Sequence, residues 1–158
     1  MKDIDIRVPV KELIYDELDE TRRRLVDLAR QYTYRAYAPY SHFSVGAAIA
    51  LDNGETVCGS NQENAAFSSG TCAERSACFA AGAQWPDARF ECIAIAARGV
   101  DGKELGHPIA PCGACRQSLL EYETLAGRPV EVLLVGAHSI YKLNSIKDLL
   151  PLAFTEID

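Results

Sequence analysis

No stretch of this 158-residue chain stays apolar for anything near the roughly 20 residues needed to span a bilayer, so a membrane-embedded protein is not expected. The opening Met1-Lys2-Asp3-Ile4-Asp5 has neither the basic start nor the apolar centre of a secretory signal, and residence in the cytoplasm is the expectation. A surplus of positive charge is missing too. Sixteen Lys and Arg against 22 Asp and Glu leave a formal net charge of -6. Such a field repels a phosphate backbone, which argues against a nucleic-acid partner. The basic run Arg22-Arg23-Arg24, with Asp19, Glu20 and Asp27 around it, reads as a solvated helix face. There is no internal repeat, low-complexity tract or long Pro/Gly/Ser linker. Residues 1–158 are therefore expected to fold as one domain, with residues 1–20 as an extension and 145–158 as a tail.

What the chain does have is periodicity. Leu18, Leu25, Leu28, Ala29, Tyr32 and Ala36 recur mostly at three- and four-residue spacing, which predicts a helix of about 18 residues ending before Pro39. Residues 43–51 and 55–60 flank the turn signal Asp52-Asn53-Gly54 and predict a hairpin. A helix is expected from residue 72, with Thr71 as its N-cap hydroxyl and Gly82 near its end. Residues 90–97 read as a buried strand, 99–108 as a loop, 112–126 as a helix, and 130–135 and 139–143 as two further strands. Residues 145–150 read as a last helical turn. This alternation implies an α/β fold, a mixed sheet with helices on its faces.

Six cysteines in a reducing compartment do not build a disulfide framework, and three of them fall in two compact clusters, Cys72-Ala73-Glu74 and Pro111-Cys112-Gly113-Ala114-Cys115. Both clusters stand where the chain enters a helix, beside unpaired backbone N–H groups that favour thiolates. Zinc held by Cys72, Cys112 and Cys115 would have three protein ligands and a fourth position left for water, the pattern of catalytic rather than structural sites. Glu74, two residues after a ligand, is placed to hydrogen-bond that water and act as proton shuttle. Three thiolates over-compensate a divalent charge, so a nearby cation is needed, and Arg75 is the candidate. Alone, Cys-x-Glu is an ordinary helix start and Pro-Cys-x-x-Cys a structural zinc knuckle; the pair matches the logic of the zinc deaminases. Cys58, Cys78 and Cys92 read as core thiols. His42, His107 and His138 read as surface or packing residues, and Trp85 as packing at a helix end.

The chain resembles the small homotetrameric cytidine deaminases. Besides the zinc segments, Tyr37-Ala-Pro-Tyr-Ser-His-Phe-Ser-Val-Gly-Ala-Ala48, Asn61-Gln-Glu-Asn-Ala65 and Pro111-Cys-Gly-Ala-Cys-Arg-Gln117 are similar to that family's segments, in the family's order. The resemblance implies a three-layer α/β/α sandwich with a five-stranded mixed sheet, one Zn2+ per subunit and a homotetramer with shared active sites. It implies that Asn61 and Glu63 hold the ribose 3'-hydroxyl, that Phe43 packs on the pyrimidine, and that Ala73 and Glu74 recognise the base edge. Ala65, Phe67 and Phe154 would complete a neighbour's pocket, Phe67 by packing alone because several relatives carry tyrosine there.

The implied activity is hydrolytic deamination of cytidine, and of deoxycytidine, in pyrimidine salvage. Two alternatives stand beside it. A deaminase of a cytosine-nucleoside antibiotic of the blasticidin type is disfavoured by the Asn61-x-Glu63 pair. A structural zinc-binding interaction module is disfavoured because no fourth ligand is evident.

Overall fold

The computed structural model describes residues 1–155. Its framework begins with α1, Glu20–Tyr32, which starts where the Asp19 carboxylate accepts a hydrogen bond from the Arg22 N–H. That is an N-cap in the sterically favoured place. Leu25, Val26 and Ala29 form its buried stripe. The helix is shorter than the periodicity predicts, because the chain tightens after Tyr32 into a 3-10 turn over Thr33–Arg35, where the Thr33 hydroxyl donates to the Arg30 carbonyl.

Among the described residues the sheet has six strands rather than the expected five. They are β1 (Lys11–Leu13), β2 (Ser44–Leu51), β3 (Thr56–Ser60), β4 (Phe90–Arg98), β5 (Glu131–Val135) and β6 (Ile140–Leu143), in the order β1-β6-β5-β4-β2-β3. The extra strand is β1. Three residues, two of them charged, carry no period that marks a strand, and only the antiparallel edge of β6 makes it one. β4 and β5 run parallel and the other neighbours antiparallel, so the sheet is mixed.

The parallel pair β4 and β5 is joined through α3, Gly113–Ala126, and α2, Ala73–Gln84, lies on the same face. Ala47, Ile49, Ile93, Ile95, Val132 and Leu134 point to these two helices; Ala48, Ala94, Ala96, Leu133 and Val135 point to α1. The result is a three-layer α/β/α sandwich. Each fully buried isoleucine among these contributes about 1.5–3 kcal/mol. On the α1 face β2 and β4 present small residues, Gly46, Ala48, Ala94 and Ala96, and the helix comes close there: a Cβ on Gly46 would lie 2.1 Å from the Ala29 carbonyl oxygen.

After β6, a 3-10 turn over Ile146–Leu149 leads into the tail; residues 156–158 of the expected tail lie outside the described residues. Among the described residues, no helix is long and apolar enough to cross a membrane.

Candidate metal centre and active site

The two helices on the α2/α3 face begin at cysteines. Cys72, not Thr71, is the N-cap of α2, and Cys112 is the N-cap of α3. Neither cysteine makes a side-chain capping bond, so the positive ends of both helices are left for the sulfurs to face. Cys115, buried in the first turn of α3, completes the group. All three sulfurs lie within 4.8 Å of one another, and Cys72 Sγ and Cys112 Sγ are 3.9 Å apart. Tetrahedral ligation at 2.3 Å from sulfur to zinc sets neighbouring sulfurs roughly 3.8 Å apart, so the spacing fits a zinc ion.

The charges fit as well. A hydrogen bond shared with Cys115, with Arg75 beside it, pulls Cys72 down to about 5, while the same shared proton and burial push Cys115 up. Three thiolates this close repel one another unless a dication lies between them. Arg75 Nη2 donates to Cys72 Sγ at 3.8 Å, and its Nε is buried without a protein partner beside the cluster. A guanidinium so placed can donate to thiolate sulfur and offset its charge.

Glu74 follows Cys72 by two residues in the first turn of α2 and is only 4% exposed. Burial pushes its carboxyl up to about 6, against a partly opposing backbone hydrogen bond. A carboxyl in that range can take up and return a proton near neutral pH.

Asn61 follows β3 directly. Its Oδ1 accepts from the Val45 N–H at 2.7 Å and its Nδ2 donates to the Phe43 carbonyl at 2.9 Å, so it pins the start of β2 where Phe43 sits. One lone pair and one N–H of the amide remain free. Glu63 Oε2 accepts from the Tyr40 and Ser41 N–H groups at 2.9 and 3.2 Å. The Ser41 hydroxyl and these amides hold its carboxyl below the usual range. Gln62 pairs with Thr71, immediately before Cys72, which ties this polar loop to the sulfur cluster. Ala73 is buried against β3, and Ala65, Phe67 and Phe154 stand on the surface, Phe67 at 91% and Phe154 at 64% exposure.

Two supports escape the sequence reading. Tyr40 and Ser41 hold Glu63 through backbone amides as well as the Ser41 hydroxyl, and no side-chain pattern reveals the amides. Arg116, although inside a quoted motif, carries no expected role; it donates from Nε to the Pro111 carbonyl at 2.8 Å and from Nη1 to the Leu149 carbonyl at 2.9 Å. It ties the residue before Cys112 to the start of the tail.

Three cysteines gathered at two helix starts with a buried carboxyl beside them, on a three-layer sandwich, match the arrangement of the zinc-deaminase class. The chain belongs to the cytidine and deoxycytidylate deaminase family, whose zinc-binding region matches residues 19–126. It is 36% identical over 137 residues to a cytidine deaminase of Halalkalibacterium halodurans, covering 87% of this chain and 96% of that protein. It is 39% identical over 129 residues to a cytidine deaminase of Mycobacterium tuberculosis, covering 80% of this chain and 84% of the relative. A crystal structure of cytidine deaminase from Burkholderia pseudomallei superposes with a TM-score of 0.69 at 38% identity, over 87% of this chain and all of that one (100%).

Proposed function

We propose that this protein hydrolyses cytidine, and by the same chemistry deoxycytidine, to the uracil nucleoside and ammonia. The observation that carries the reading is Glu74, a buried carboxyl two residues from Cys72 in a sulfur cluster of zinc-compatible spacing. Cys72, Cys112 and Cys115 would hold one zinc ion per chain, and when bound it supplies the Lewis acidity that makes water nucleophilic near neutral pH. Glu74 takes the proton from the water that attacks C4 and gives it to N3. It then carries a proton to the C4 amine, so the C–N bond breaks with ammonia as the leaving group and a C4 carbonyl remains. Arg75 balances thiolate charge.

Asn61 and Glu63 bind the ribose 3'-hydroxyl, Phe43 packs on the base, and Ala73 reads its edge through the backbone. The free amide valences of Asn61 and its grip on the Phe43 carbonyl support this assignment. Residues 1–158 act as one domain in a cytoplasmic homotetramer that salvages pyrimidine nucleosides. Ala65, Phe67 and Phe154, exposed on the single chain, complete a neighbour's pocket.

The test is ammonia release from cytidine, deoxycytidine, cytosine and a blasticidin-type antibiotic, with bound metal quantified. Both nucleosides should turn over and the other two should not. Glu74→Gln should keep zinc and lose at least about 100-fold in turnover. Near-normal turnover in that variant would remove Glu74 from the mechanism.

A further inference from the structure

The segment ahead of β1 lies outside the family match, which begins at residue 19. Ile4-Asp5-Ile6-Arg7-Val8-Pro9-Val10 alternates apolar residues with polar ones or proline, the period of a strand with one face to bury. Within the chain that face stays uncovered: Ile4 is 80% exposed, Ile6 50%, Val8 38% and Val10 47%. The cause is geometric. β1 pairs antiparallel with β6 from Lys11 opposite Lys142 to Leu13 opposite Ile140, and β6 ends at Leu143. The chain running back from Val10, which stands level with Leu143, therefore overhangs the end of its neighbouring strand, and β1 itself is an edge.

We propose that residues 4–8 pair antiparallel with the same residues of a second copy of this chain, about a two-fold axis. The segment's own sequence selects that occupant. With Ile6 opposite Ile6, Ile4 meets Val8 and Asp5 meets Arg7, each twice by symmetry, so apolar side chains share one face and opposite charges meet on the other. Sliding the pair by two residues sets Arg7 against Arg7 or Asp5 against Asp5. Sliding by one sets Ile6 against Arg7 or Asp5.

Pro9 agrees with the same register. Having no N–H, it must occupy a non-hydrogen-bonded position of the ladder. When Ile6 takes a hydrogen-bonded position, alternation leaves Asp5, Arg7 and Pro9 in the other class, where opposed side chains are closest. Each arm is already anchored through β1, and pairing sets Ile4, Ile6 and Val8 of one copy against those of the other.

The full chain carrying Ile6→Cys is treated with diamide and followed on non-reducing gels, the linked peptide being identified by mass. A covalent dimer should form several-fold faster than with Asp5→Cys or Val8→Cys, because residue 6 alone meets itself. In the Ile6→Cys background, Asp5→Arg or Arg7→Asp alone should slow the reaction, and the double exchange should restore it. Equal rates at positions 5, 6 and 8, or no recovery in the double exchange, overturn the proposal. An arm that lies on its own subunit, or on another surface of a neighbour, gives that second outcome.

Discussion

Adding one methyl group at Gly59 tests the link between the fold and the chemistry most directly. Gly59 lies in β3 beneath the first turns of α2, and a Cβ there would sit 2.5 Å from the Ala77 nitrogen and 2.6 Å from the Ala73 carbonyl oxygen. Ordinary contact begins near 3.4 Å, so strand and helix must part by the difference between 2.5 and 3.4 Å, about 0.9 Å. The atoms in the way are backbone and cannot rotate aside. β3 is an edge strand and can yield outward, but then Asn61 moves away from Glu74; if α2 yields instead, Glu74 and Cys72 move. Overpacking of this kind costs about 1–3 kcal/mol in stability. A displacement near 1 Å between reacting groups costs about 100-fold in turnover. The assay is a denaturant midpoint together with cytidine turnover per bound zinc, compared with Gly113→Ala, where a Cβ meets nothing within 4 Å and stability should change by less than about 0.5 kcal/mol. A Gly59→Ala protein with normal midpoint and normal turnover would refute the view that this close approach positions Glu74.

Removal of metal with a chelator should abolish turnover and expose the thiols of Cys72, Cys112 and Cys115 to alkylation, both reversed by zinc; turnover surviving complete removal contradicts the zinc assignment. Glu131 is pushed up by burial, but hydrogen bonds from Arg22 and Lys142 outweigh this and hold its carboxyl below the ordinary 4.5. Its contribution is present above that value and lost as pH falls through the lowered one. Glu131→Gln should therefore cost about 1.5–3 kcal/mol at neutral pH and flatten the acid limb of the stability profile, read by denaturation across pH. Glu123 accepts from the Val130 N–H at 2.8 Å, the Ile146 N–H at 2.7 Å and the Ser145 hydroxyl at 2.6 Å. Glu123→Ala should cost about 3 kcal/mol in a chemical melt, and an unchanged midpoint would deny this carboxylate its role in docking the turn after β6.

Most elements were legible in the sequence because their signals are local. The turn at Asp52-Asn53-Gly54 works because Gly54 takes a φ of 85°, open to glycine at no steric cost, and the strands beside it fall within a residue of expectation. β1 was not legible, since its strand character comes from the edge of β6, more than a hundred residues on. Nor was the end of α1, where chain direction is decided by packing against β2 rather than by apolar period. The same division holds at the site. The candidate ligands, their spacing within each segment and Glu74 beside Cys72 are written in two short runs of residues, so the segments could be read as a candidate metal centre with an adjacent acid. That Cys72 and Cys112 come within 3.9 Å, and that burial raises the Glu74 carboxyl, could not, because both depend on two helix starts meeting above one sheet. Residue type and local period belong to the sequence alone; distance and desolvation exist only once segments far apart in the chain are packed together.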